Sequence, residues 1–284
     1  MLKGIVNSLM CLSCQGDLSF YDKDIKCVKC GRIYKIKNGA VVFHEENTKD
    51  QSDSFIFGLK IFLKKHPKLF FFLFYMLGVF TGKTSKKAIE HVPRGSLIVN
   101  VASGIKVIRE DVINVDLHPF LGIHIAADAQ KLPLKNSSCD AVICEASLEH
   151  IKNPVPAVQE MYRVLKNGGL IYIIVPFIQG FHSSPSDYYR WTKEGVKELF
   201  KNFEEKELGI FGGPTYAFTS VLREWLAIIL SFNSEFAYQI FSLVFLVILA
   251  PFNFLDYVFS RYKSADNMAS SFYFIGTKKS KINR

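Results

Sequence analysis

LIVNVASG (97–104), VINVD (112–116), AADAQKLPL (126–134), CDAVICEASLEHI (139–151) and RVLKNGGLIYIIVP (163–176) decide the fold. Short apolar runs rich in Val and Ile read as buried strands, each followed by turn residues. Between the last two, Ala157, Val158, Met161, Val164 and Leu165 recur at helical spacing. Asn153 is the expected N-cap of that helix and Gly168 its stop. Strands alternating with a crossover helix predict an α/β, Rossmann-like parallel sheet, with its ligand crevice at the strands' carboxyl ends. Only residues 105–111 separate Gly104 from VINV. That is too short for a full crossover helix, so the first helix should be shortened or lost and the crevice open.

At 284 residues the chain can hold one full domain and a small one. It is 49% hydrophobic, with 26 Phe and a formal charge of +9. The N-terminal MLKGIVNSLM lacks the apolar core of a secretion signal, so a cytoplasmic location is expected. From Ser54 to Ile89 there are seven lysines and no Asp or Glu, surrounding the run LFFFLFYMLGVF (69–80). A basic rim on an apolar segment suggests an anionic membrane surface before nucleic acid. The competing reading is a solvated basic face beside a core helix.

Four of the six cysteines, Cys11, Cys14, Cys27 and Cys30, form C-x2-C-x12-C-x2-C. With no secretion signal they read as one closed, structural zinc site, against free buried cysteines. IYKIKNGAVVF (33–43) then reads as a strand, an Asn38-Gly39 turn and a second strand. The expected organisation is a zinc ribbon over 1–46, a basic, apolar helical linker over 47–94, and a catalytic-type domain over 95–284. A 40-residue ribbon has too little core to fold alone, and zinc should supply the difference.

The strand motifs resemble the class I S-adenosylmethionine-dependent methyltransferases, in particular the broad type 11 group. The resemblance runs over about residues 95–210 and returns near 271–277. The ribbon resembles the zinc-ribbon activator subunit of tRNA and protein methyltransferases. The resemblance implies S-adenosylmethionine as cofactor. At the family's acidic and glycine-rich turn this chain has Asn100, Ala102, Ser103, Gly104 and Lys106, with only one of the three glycines kept. It implies ribose binding by Asp116, against a plain loop aspartate, and adenine binding by Asp128 and Ala129. Glu145, at the exit of strand four, joins the cofactor set. Leu148-Glu149-His150 resembles the family's L-E-H signature. His150 and His182 are the catalytic candidates, since an imidazole near neutrality can serve as a general base; the alternative for His150 is structural. In similar chains an H-x-x-P-x-D-Y-x-R-W-T stretch follows strand five. It implies substrate contact by Asp187, Tyr188, Tyr189, Arg190 and Trp191, unless these only anchor the loop. Thr192 should cap the next helix.

Phe236 to Leu255 carries no charge, a length that would permit a membrane span. The strands expected near 206–211 and 271–277 share a sheet, so the chain between them must leave and return on one side. Arg223 and Glu224 oppose a second span. A surface-lying or re-entrant hydrophobic hairpin over about 215–265 is therefore expected, with residues 55–80 and 215–260 at the membrane. A helical cap or dimer interface is the soluble alternative. The leading expectation is a peripherally or monotopically attached methyltransferase acting on a small-molecule, lipid-linked or amphiphilic acceptor. An RNA methyltransferase gripping RNA through the ribbon comes second, because the basic stretch is interleaved with Phe and Leu rather than polar residues. A non-catalytic scaffold comes third. Oligomeric state is not readable from the sequence.

Overall fold

The computed structural model describes residues 2–44, 72, 76–182 and 186–279. Strands β1 (Leu18–Tyr21), β2 (Asp24–Cys27) and β3 (Ile33–Tyr34) follow a one-turn helix α1 (Leu2–Ile5) and form a small antiparallel sheet. The large sheet holds β4 (Ile36–Lys37), β5 (Ala40–Val42), β6 (Ile98–Val101), β7 (Ile113–Asp116), β8 (Ile125–Ala126), β9 (Cys139–Glu145), β10 (Leu165–Pro176), β11 (Phe203–Gly212) and β12 (Ser271–Lys278). Its order is β11-β12-β10-β9-β6-β7-β8-β5-β4. β5 through β10 pair in parallel where they are neighbours, and β12 runs antiparallel to β10 and β11. Ile98–Val101 is buried throughout because both faces of the sheet are covered.

Helix α2 (Ser85–Ala88) brings Ile89 onto one face, where Ile108 and Val112 join it. Residues 105–111 form no helix. Instead Arg109 donates to Ile89 O and Val92 O at 3.2 and 3.1 Å and forms a forked pair with Asp111. The other face carries α3 (Pro154–Val164) and α4 (Lys193–Leu199). Asn153 holds the N-cap position of α3, but its side chain makes no cap bond; Pro154 at the first turn needs no partner for an N–H it lacks. Gly168 does not stop this helix. Leu165 is already extended and paired with Cys139, and Gly168, at φ +74, lies in the irregularity before Leu170. Thr192 caps α4, its hydroxyl accepting from Gly195 N at 3.1 Å.

The ribbon region does not stand apart from the sheet. Asn38 and Gly39, at φ +50 and +84, make the tight turn between β4 and β5, and β5 pairs with β8 at Val41 and Ile125. Leu9 bridges to Leu134, and Met10 N donates to Pro133 O at 3.0 Å. Leu9, Ile25, Tyr34 and Val41 belong to one core with Val99, Val115, Ile125 and Leu134. A small module short of core thus borrows the core of its neighbour.

The insertion before β12 is an antiparallel hairpin, α5 (Pro214–Leu230) and α6 (Glu235–Leu249), closed by a 3-10 turn and α7 (Asp256–Phe259). Gly212 pairs with Ser271, so the chain returns where it left. Buried Asp256 caps α5, accepting from Thr215 N at 2.8 Å and Tyr216 N at 2.9 Å. Glu235–Phe259 is long and apolar enough to cross a membrane, with mean hydropathy 1.9, yet only 17% of that window is buried. Trp225, Ile228, Phe232, Phe236, Val247 and Phe254 are exposed. Of the second expected membrane segment, residues 55–71 and 73–75 lie outside the described residues; Phe72 and Met76 are exposed.

Candidate active site

β6 and β7 end side by side and their exits form one half of the crevice. Ala102 and Gly104 both adopt φ +52. A Cβ on Gly104 would meet no protein atom within 4 Å, so its backbone angle, and not crowding by the protein, calls for glycine. Ser103 N donates to Val115 O at 3.1 Å and Gly104 N to Asp116 Oδ2 at 2.8 Å, which folds the turn onto β7. Asp116 Oδ1 accepts from His118 N at 3.2 Å. Asp128 closes its own turn by accepting from Gln130 N at 2.8 Å, and Ala129 beside it is buried. Asn100 does not reach this surface. It is 2% exposed and donates to Asn114 Oδ1 at 3.4 Å, while Asn114 donates to Lys106 O and Gly122 O. Buried amides must find partners, and this pair braces β6 against β7 instead of facing a ligand.

The turn joins the exit of β9 through charge. Lys106 forms an ion pair with Glu145, whose other oxygen, Oε1, is buried with no hydrogen-bond partner among the described residues. The Ser147 hydroxyl lies 2.8 Å from Glu145 O and 3.0 Å from Ala102 O, stitching the two exits together. Ala146 has φ +45, so each of these neighbouring exits holds an alanine in the left-handed region. Such strain concentrates where a site is held by its surroundings.

Across the crevice, the turn Leu148–His150 and the loop after β10 bring His150 and His182 together, their ring centroids 5.2 Å apart and nearly perpendicular. Glu149 lies between them and is wholly buried, and among the described residues neither of its oxygens has a hydrogen-bond partner. His150 Nδ1 lies 2.6 Å from Ser186 O. Glu149 raises the pKa of His182 by favouring the imidazolium, against the opposing effect of burial. The loop itself is built by Arg190, which grips both Asp187 oxygens at 2.6 Å and donates to Gln179 O and Gly180 O. That fork lowers the Asp187 carboxyl to about 2. Asp187 also accepts from His182 N at 2.9 Å. Trp191 is buried, with Tyr189 stacked on it at 5.6 Å. Asp187, Arg190 and Trp191 are thus engaged in shaping the loop, while Tyr188 and Tyr189 keep exposed ring surface.

At the far edge the four thiols converge. Cys11 and Cys30 Sγ lie 3.6 Å apart, Cys14 and Cys27 Sγ 3.4 Å, and all four fall within 4.8 Å of one another. Bonds of about 2.3 Å to zinc give a tetrahedral edge of about 3.7 Å, so the cluster has the size of such a shell. Burial opposes ionising Cys11, but hydrogen bonds led by Tyr34 bring its thiol to about 6. The Gly16 amide favours the Cys14 thiolate, yet burial and the three other thiols push it to about 12. Four thiolates at this spacing need a cation.

Residues 81–173 match the methyltransferase domain family. That match covers about a third of the chain. The sheet that holds these residues runs β8-β7-β6-β9-β10-β12-β11, with β12 antiparallel, a Rossmann-like arrangement. Demethylmenaquinone methyltransferase of Listeria monocytogenes serotype 4a (strain HCC23) is 33% identical over 105 residues, 36% of this chain and 44% of that protein. The ubiquinone/menaquinone biosynthesis C-methyltransferase of Coxiella burnetii (strain Dugway 5J108-111) is 40% identical over 50 residues, 18% of this chain and 20% of that protein. The match spans less than half the length of these curated relatives. Among solved structures, a putative methyltransferase from Bacillus halodurans C-125 has a TM-score of 0.44 at 16% identity, covering 69% of this chain and 97% of that one. No role was legible in the sequence for Glu149, although it is the middle letter of the L-E-H signature, nor for Lys106, visible only as a departure from glycine.

Proposed function

We propose that this methyltransferase domain binds S-adenosylmethionine and methylates a lipid-linked or amphiphilic acceptor at a membrane surface. One observation carries the reading: the cofactor crevice and the apolar hairpin lie at the same end of the sheet. Pro176 at the end of β10 pairs with Ser271, and Ser271 pairs with Gly212, from which the hairpin springs. A Cβ on Gly180, in the loop after β10, would lie 3.6 Å from Glu224 of α5. An exposed apolar layer of this extent marks an interaction surface. Within the hairpin Arg223 is paired with Glu224, and the Tyr238 hydroxyl donates to the same carboxylate.

The residues present suit the cofactor. Gly104 and Ser103 would bring backbone to it, Asp116 would take its ribose hydroxyls, and Asp128 and Ala129 its adenine. The orphaned Glu145 Oε1 is an acceptor for the ammonium, and Lys106 a cation for the carboxylate. The cofactor supplies an electrophilic methyl on a sulfonium. The protein orients the acceptor, with Tyr188 and Tyr189 offering exposed rings and His150 and His182 at the acceptor end, and excludes water. Zinc on Cys11, Cys14, Cys27 and Cys30 is structural in this reading, because four thiolates leave no open position.

The test is calorimetric titration of zinc-loaded, detergent-purified protein with S-adenosylmethionine, wild type against Asp116→Ala, followed by flotation with anionic vesicles. Micromolar binding abolished by the substitution supports the cofactor site. No binding by wild type would leave a scaffold whose crevice the Lys106–Glu145 pair has closed. A protein that ignores vesicles and methylates only soluble molecules would refute the membrane part.

A further inference from the structure

We propose that Glu149, His150 and His182 form a second metal site, distinct from the four cysteines, for a divalent cation that favours nitrogen and oxygen ligands, zinc or manganese. Glu149 is wholly buried and its two oxygens lack hydrogen-bond partners among the described residues. A buried carboxylate left in that state requires a positive partner. The two imidazoles supply the rest of a ligand set. His150 Nδ1 is 2.6 Å from Ser186 O and His182 Nδ1 is 3.1 Å from Gly180 O. A carbonyl only accepts, so both Nδ1 atoms carry a proton, and each Nε2 is the nitrogen a metal would take. Arg190 Nη2, 3.4 Å from His182 Nδ1, already donates to Gly180 O and Asp187 Oδ2 and does not alter that assignment. The Nε2 atoms lie 3.7 Å (His182) and 4.0 Å (His150) from the same oxygen, Glu149 Oε1.

With a metal cation between the carboxylate and the two imidazoles, each becomes a ligand. Bonds of about 2.0–2.2 Å give a tetrahedral edge of about 3.3–3.6 Å; the ligand atoms, all within 4.8 Å of one another, have to draw together by up to about 1 Å to close the shell. An imidazole that donates Nδ1–H to a backbone carbonyl and offers Nε2 is the usual outer shell of a histidine metal ligand. The ligands come from two different strand exits, and Tyr188 N, donating to Glu149 O at 2.7 Å, ties the exits together. Three protein ligands leave a fourth position for an oxygen donor, the arrangement of reactive rather than structural sites. Metal binding here does not depend on methyl transfer.

The experiment uses the full chain, loaded with zinc and dialysed against a weak chelator. Metal per chain is measured for wild type, Glu149→Gln and His182→Ala, with thermal unfolding as the control for folding. Each variant should lose about one equivalent that the wild type keeps, while the cysteine-bound equivalent remains. In parallel, manganese is titrated by electron paramagnetic resonance, since manganese avoids thiolates. One bound manganese in wild type and none in the variants is expected, with S-adenosylmethionine binding retained in Glu149→Gln. Equal metal content in wild type and both folded variants, or no bound manganese in wild type, overturns the proposal. Loss of cofactor binding in Asp116→Ala with the manganese site intact separates this inference from the methyltransferase reading.

Discussion

Replacing Asp187 with Asn should destabilise the protein at neutral pH by about 2 kcal/mol, and the loss should vanish in acid. The Asp187 side chain is 2% exposed, so water screens its pairing with Arg190 little. Both carboxylate oxygens take a guanidinium N–H at 2.6 Å, and His182 N adds a third bond at 2.9 Å. These hold the carboxyl at about 2, against an ordinary 3.8. At 1.36 kcal/mol per pH unit, that difference is worth about 2 kcal/mol. A pKa lowered by folding contributes its stability above the unfolded value and loses it as pH falls through the folded value. The window is therefore from about pH 5 down to about pH 2. Urea unfolding followed by circular dichroism, at steps between pH 7 and pH 2, measures wild type against Asp187→Asn. Subtracting the two curves removes the other carboxylates that titrate in this range, such as Asp24 and Asp111. A variant as stable as wild type at pH 7, or a difference constant down to pH 2, would refute the reasoning.

Ile228→Glu with Phe232→Glu places two charges on the exposed hairpin face, where Phe232 is 89% exposed. Vesicle partitioning should fall by about tenfold or more, because each lost side chain forfeits about 1.5–3 kcal/mol of burial, while unfolding in solution stays near wild type. Chelating the ribbon metal should lower a single cooperative melting transition, since Leu9 and Ile25 share the core of Val99 and Val115; a separate early transition with the main one unchanged would count against that continuity. Lys106→Met leaves Glu145 without its ion pair and should weaken S-adenosylmethionine by about tenfold in calorimetry, the loss of one charge-assisted contact; unchanged affinity would remove Lys106 from the cofactor set.

The parallel strands, the cysteine shell and the apolar insertion were legible because each rests on a local, periodic signal: Val and Ile runs, paired C-x2-C turns, an uncharged stretch of helical length. Asp116 was singled out at a strand's carboxyl end, and Asp128 only through the family resemblance. The sequence alone could not decide what faces what. Asn100 sits where the family's acid does, but strand alternation turns it to the face shared with Asn114. Gly168 follows an amphipathic stretch and looks like a helix stop, until pairing of Leu165 with Cys139 makes it part of a strand. The ribbon reads as a separate module because its ligands are close in sequence, whereas its last hairpin joins the sheet through β8, more than 80 residues away. Glu149 and His150 are separated from His182 by the whole of α3 and β10, and only the adjacency of two strand exits brings their ligand atoms together. Local chemistry wrote the elements; long-range packing, which trades chain entropy for shared burial, chose their partners.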